Sequence, residues 1–219
     1  MTTSVVIYDT EFWTDRGVQG RHWSGLYDYP PLLIQIGAIK CELSRGLPII
    51  GEYASYVLPV DEYGRRAPLT DYLVQLTGIS QNEFETSAIP LAGAMSSFAH
   101  FVNLDLMFSY GNDILASILP TCYLRSLTCP FTPRQVHDIR YILRHAGVTD
   151  ELLTLHTSGT IASAFGLQLL DHTVHDALSD ARSIVATIQH LNLTERLNLA
   201  WLSSPSPSPR AEKGASPRN

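Results

Sequence analysis

Four carboxylates and one imidazole, dispersed over most of a 219-residue chain, fall into three short stretches: Asp9 and Glu11 in YDTEFW, Asp113 in FSYGND, and His175 and Asp180 in HDALSDARS. Carboxylate oxygens are the donors that hard divalent cations prefer, and an imidazole titrating near neutrality is well suited to take a proton from water. Taken together, these groups are the set needed for metal-assisted hydrolysis of a phosphodiester. Each stretch alone has a plainer reading. Asp9 and Glu11 could be two solvated acids at a strand end, Asp113 a turn or helix-capping aspartate, and His175 one surface histidine among the eight in the chain.

The elements that must position these groups can be read from the pattern. SVVIYDTEF (4–12) is β-branched and apolar, which predicts a buried strand, and side chains two apart in a strand share a face, so Asp9 and Glu11 project together from its carboxyl end. LLIQIGAIKCE (32–42) and EYASYVLPV (52–60) predict two neighbouring strands, and LDLMFSYG (104–111) a fourth. Asp113 follows on a turn that Gly111 and Asn112 permit. Helices are expected in PLTDYLVQLTG and PLAGAMSSFAHFVN, from about Ile114, and over 139–145, 161–165 and 177–193. His175 and Asp180, five apart, would lie about 140° apart on a regular helix. His175 is therefore expected just ahead of the last helix, with Asp176 as its N-cap and Asp180 in the first turns beside the small Ala177 and Ala181. Strands first, then alternating helix and strand, predict an α/β fold with a mixed sheet covered by helices on both faces. The intervening WTDRGVQGRHWSGLYDYPP predicts an ordered loop whose Trp13, Trp23, Tyr27 and Tyr29 form either an aromatic wall for a single strand or a packed flap.

A hydrophobic content of 45% suffices for one sizeable core, assigned to residues 1–202. Residues 203–219, SSPSPSPRAEKGASPRN, change composition abruptly and are expected to be a disordered tail. Its Ser-Pro repeats suit phosphorylation or partner binding, or form an inert extension. Cys41, Cys122 and Cys129 fit neither a disulfide framework nor a zinc pattern. No signal sequence and no apolar span of membrane length is found, so the expectation is a soluble, cytoplasmic protein without membrane attachment. Net charge is −6, and −8 over residues 1–202 with 12 basic and 20 acidic side chains, which argues against a grip on long nucleic acid through phosphate neutralisation. Two divalent cations would halve that deficit and supply much of the positive field felt by a phosphate, implying a short footprint at a strand end.

In their order and spacing, the DxE, the mid-chain Asp and the His followed by Asp resemble the DEDDh subgroup of DnaQ-like 3′-5′ exonucleases, over residues 4–193. PPLLIQIGAI looks like the second-strand segment of that superfamily, and LTDYLVQLTGISQ and YGND are similar to its Eri-like and KapD-like branch, which includes enzymes trimming RNA 3′ ends. Phe12, Trp13 and the long aromatic 13–31 loop depart from the proofreading members. The resemblance implies a ribonuclease H-like fold with a five-stranded mixed sheet. It also implies two Mg²⁺ or Mn²⁺ ions held by Asp9, Glu11, Asp113 and Asp180, His175 as general base, and release of nucleoside 5′-monophosphates from single-stranded 3′ ends, with RNA slightly favoured over DNA. Thr10, Phe12 and Leu76 are the candidates for contact with the terminal nucleotides, against a plainer role as core. Two alternatives stay open: a DNA exonuclease of proofreading or repair type, and a non-cutting protein of the same fold that binds a strand end or a partner.

Overall fold

The computed structural model describes residues 3–170 and 172–204. Five strands, β1 (Ser4–Phe12), β2 (Leu33–Glu42), β3 (Ile49–Tyr56), β4 (Leu106–Ser109) and β5 (Val136–Asp138), form one sheet in the order β3-β2-β1-β4-β5. β2 runs antiparallel to both of its neighbours, whereas β1, β4 and β5 are parallel, so the sheet is mixed. Among the described residues, eight α-helices accompany it: α1 (Asp71–Thr77), α2 (Gln81–Ser87), α3 (Leu91–Val102), α4 (Leu119–Leu124), α5 (Ile139–His145), α6 (Asp150–Leu155), α7 (Ala177–Leu193) and α8 (Ala200–Ser203).

Alternation along β1 divides the core. Val5 and Ile7 face α5 and α7, packing with Ile142, Ala181, Ile184 and Ile188. Val6 and Tyr8 face the opposite layer, where Ala94, Met95 and Phe98 of α3 and Ile118 close the sheet. A third cluster joins Trp13 and Val18 of the 13–31 loop, and Leu32 just after it, to Leu73, Ile79 and Phe84, and fixes α1 beside the end of β1.

The expected strands are present with shifted ends. β3 begins at Ile49 rather than Glu52 and ends at Tyr56; the Val57 N–H still donates to the Ile34 carbonyl of β2, but Val57 bridges Ile89 on its other side and Pro59 has no N–H to donate. β5, α2 and α6 escape the sequence pattern, being three to seven residues long with no sustained period. The helix from Ile114 opens as a five-residue π-helical segment, Ile114–Ile118, before α4. Pro120 lacks an N–H for a regular turn, and the Thr121 hydroxyl donates to the Ser117 carbonyl instead. Residues 161–165 form a 3₁₀ turn. α8 takes in Ser203, the first residue of the expected tail, whose residues 205–219 lie outside the described residues. All three cysteines are free thiols. Among the described residues, no helix is long and apolar enough to cross a membrane.

One glycine sets how closely α7 meets the sheet. Gly37 of β2 sits opposite Asp9 in the ladder, and a Cβ there would overlap the backbone of Ala177 and Leu178 at the start of α7. Backbone cannot move aside as a flexible side chain can. Gly37→Ala is therefore expected to destabilise the fold by about 3 kcal/mol or more, read by urea unfolding, whereas Gly64→Ala, with open space around its Cβ, should show only the smaller cost of its positive φ.

Candidate active site

The carboxyl ends of β1 and β4 and the amino end of α7 meet at one cleft of about 370 Å³. Asp9, Glu11, Asp113, His175 and Asp180 all line it, together with Thr10, Phe12 and Leu76. The five candidate catalytic and metal-binding residues and the three substrate candidates are thus brought to the same place. Asp9 and Asp180 are buried, while Glu11, Asp113 and His175 are half-buried and open to the cleft. A carboxylate oxygen of Glu11, one of Asp180 and a ring nitrogen of His175 lie within 4.8 Å of one another.

Each group has a local reason for its position. A bulge between Glu11 and Phe12 turns the end of β1 where the site begins. Gly111 adopts φ 116°, open to glycine and hostile to other residues, and so swings Asp113 out of β4. The Asp138 carboxylate accepts from the Gly111 N–H (3.1 Å) and from Arg140 at the start of α5, tying this turn to β5. Asp113 precedes the π-helical segment without capping it by its side chain, so its carboxylate is left for another role. Ahead of α7, Asp176 accepts from the Ser179 N–H (2.9 Å) as the expected N-cap. Gln35, buried on β2 opposite Glu11, donates to Asp176 (2.7 Å) and accepts from the Ala177 N–H (3.1 Å), fastening the helix start to the sheet. His175 takes φ 67° just before the cap.

Asp180 is braced from the 157–160 turn. Ser158 donates to its Oδ2 (3.2 Å), and the turn approaches so closely that a Cβ on Gly159 would strike the Asp180 carboxylate. A ring nitrogen of His172 lies 2.7 Å from the Gly159 carbonyl and steadies the turn. Ser158 and Gly159 lie in no stretch singled out in the sequence, and Gln35, Tyr72 and Tyr110 lie inside quoted stretches without a role assigned to them. A buried Gln in an otherwise apolar strand was the one signal available for Gln35.

The substrate candidates divide. Phe12 and Leu76 present apolar surface to the cleft, and Tyr72 of α1 joins them. The Thr10 hydroxyl is buried against Ser117 (2.8 Å), so only its backbone is available. The 13–31 loop is a packed flap: Trp13 is buried and donates to the Pro68 carbonyl, Trp23 packs on Phe12 and donates to the Trp13 carbonyl, and Tyr29 meets the Trp13 ring. Of its four aromatic residues singled out above, only Tyr27 stands free, 88% exposed.

The electrostatics are those of a cation site. Burial first, and then Asp113, Glu11 and Asp180, drive the Asp9 carboxyl well above the usual carboxylate range; burial and Asp180 do the same to Glu11. Burial is also the main cause that pushes Asp113 and Asp180 up to about 7. Asp113 Oδ2 and Asp180 Oδ1 are buried without a hydrogen-bond partner. Unpartnered, mutually repelling hard oxygens fit divalent cations of the magnesium type. His175 shifts the other way: burial holds its imidazole below its ordinary value, hence neutral at pH 7.

The mixed sheet in the order β3-β2-β1-β4-β5, flanked by helices, is the ribonuclease H-like fold. The Exonuclease family model (RNase_T) matches residues 6–188. The chain belongs to the Exonuclease family and is an exonuclease. Among solved structures it resembles the nuclease domain of 3′hExo, a DEDDh family member bound to rAMP (16% identity, 90% of this chain and 95% of that one, TM-score 0.67). Cell-death related nuclease 4 is similar as well (18%, 86% and 63%, TM-score 0.63), as is a zinc-bound E. coli exonuclease I in complex with single-stranded DNA (20%, 91% and 42%, TM-score 0.60). At these identities the likeness establishes the fold. No curated protein sequence matches the chain.

The charge repulsion has a measurable consequence. Asp9→Asn is expected to stabilise the metal-free protein by on the order of 1 kcal/mol, since one buried charge is removed from the cluster. Thermal unfolding in EDTA and in Mg²⁺ checks this: Mg²⁺ should raise the midpoint of the wild type clearly and that of the variant little.

Proposed function

We propose that the protein is a metal-dependent exonuclease that removes nucleoside 5′-monophosphates one at a time from single-stranded 3′ ends, with RNA preferred slightly over DNA. The observation that carries this reading is the convergence of four carboxylates and a neutral imidazole on one cleft beside an apolar platform. Asp9, Glu11, Asp113 and Asp180 would hold two Mg²⁺ or Mn²⁺ ions, whose charge would offset the carboxylates, favour ionisation of a water and stabilise negative charge on the leaving 3′ oxygen.

The remaining work falls to the chain itself. Phe12, Leu76 and Tyr72 receive the terminal base on apolar faces, and the backbone at Thr10 and Phe12 borders the last ribose. His175 accepts the proton of the water whose oxygen attacks phosphorus, while the departing 3′ oxygen takes the electron pair of the broken bond. Ser158 keeps Asp180 from swinging toward the imidazole. A softer ion such as Zn²⁺ would recruit the His175 nitrogen as a ligand, since it lies within reach of Glu11 and Asp180, and so occupy the base. The leaning toward RNA rests on the likeness of the LTGI and YGND stretches to the RNA-trimming branch. It is supported by rAMP in one structural neighbour and a histone mRNA stem-loop in another.

A strand-end binder that does not cut would have no need of the full ligand set, and here all four acids and the base are present. Asp9→Ala should abolish Mg²⁺-dependent release of mononucleotides from 3′-labelled strands while the circular dichroism spectrum stays native. His175→Ala should keep Mg²⁺-induced thermal stabilisation but lose turnover by about 100-fold or more. Undiminished turnover in either variant would show that the ions or the base lie elsewhere.

A further inference from the structure

A second groove, about 410 Å³, runs on from the catalytic cleft and shares its wall residues Tyr110, Thr157 and Ser158. Its lining is unlike the cleft's: Arg140, Arg144 and His156 face it. In a chain of net charge −6, two arginine guanidiniums side by side next to an acidic cluster are unexpected unless an anion passes there. We propose that this groove carries the sugar-phosphate backbone of the single strand on the 5′ side of the scissile bond. The inference rests on the reading under Proposed function and adds where the rest of the substrate lies.

Placement sets the polarity. The groove shares Tyr110, Thr157 and Ser158 with the cleft and none of Phe12, Leu76 and Tyr72, so the apolar platform lies away from the wall that opens into it. With the terminal nucleoside on the apolar platform and its phosphate at the carboxylates, the next nucleotides leave past Tyr110 and Ser158. The arginines are held ready for them. Asp138 engages Nε and Nη2 of Arg140, and Asp150 engages Nε of Arg144 (2.6 Å). Arg140 Nη1 and both terminal nitrogens of Arg144 make no hydrogen bond to a described residue. The guanidinium of Arg140 lies over the Tyr110 ring (5.7 Å) and that of Arg144 over Tyr141 (5.6 Å), which limits their sweep. Tyr110, directly after β4, donates to the Leu153 carbonyl (3.0 Å), so the groove floor is tied to α6. Guanidinium donors fixed in this way suit phosphodiester oxygens.

Arg140 also braces Asp138, so the test uses the other two residues. In the full chain, Arg144→Ala combined with His156→Ala should raise KM about tenfold for a strand of about a dozen nucleotides and lower the slope of log KM against log salt by about one. KM for a dinucleotide, which ends before the groove, should move less than about twofold. Asp150→Asn, which releases Arg144 from its partner, should shift the long-strand KM the opposite way. A KM that rises equally for both lengths, or for neither, overturns the proposal. Should the wild type release no nucleotide at all, the reading under Proposed function fails by itself. The groove is then decided by fluorescence anisotropy of the same long strand: salt-dependent binding weakened by the double substitution upholds it, and unaltered binding removes it.

Discussion

Four acids brought into one cleft, two of them buried, oppose the fold that gathers them. Taking a carboxylate out of water is costly, and each neighbour adds repulsion, so the arrangement persists only because it is imposed from outside and relieved by cations. The imposition comes from strands and a helix whose own burial is large. β1 is inaccessible from Val5 to Tyr8, and α7 buries Ala181, Ile184, Val185, Ile188 and Leu191 on one stripe. Site and stability are therefore opposed in the way that marks functional clusters generally.

The position of α7 is the tightest requirement. Gly37 lets its first turn lie directly on β2, and Gln35, two residues earlier on the same face, meets both the Asp176 carboxylate and the Ala177 amide. The close approach and the amide clamp act on the same few atoms. Through them, the register of β2 against β1 determines where His175 and Asp180 stand relative to Asp9 and Glu11. The LIQIGAI segment is thus part of the active-site scaffold, although none of its side chains lines the cleft.

Much of this was legible in the residues. β1, with the same ends, and α7, with the same span, follow from a β-branched run and a long period closed by an Asp cap. The placement of His175 ahead of that helix follows from the angle between positions five apart. Other features depend on tertiary contact and leave no local trace. β5 is three residues long and exists as a strand only because β4 offers it a ladder. Ser158 and Gly159 look like any turn until Asp180 is set against them. The aromatic loop was open to two readings, and indole hydrogen bonds within it, invisible in composition, decide for the packed flap.

His175 shows why such a site is assembled at a helix entrance rather than along a helix. Were residue 175 helical, its ring would point to a different face from Asp180 and away from Glu11. A left-handed backbone, φ 67°, brings it back over both, at a cost of about 1–2 kcal/mol for a residue with a Cβ. That strain has no local remedy in the histidine itself. It is held by the Asp176 cap on one side, with Gln35 behind it, and by the long apolar stripe of α7 on the other, which would have to leave the sheet for residue 175 to relax. The imidazole is consequently poised beside the acids before any substrate arrives, and its orientation is a property of the helix–sheet contact rather than of the loop that carries it.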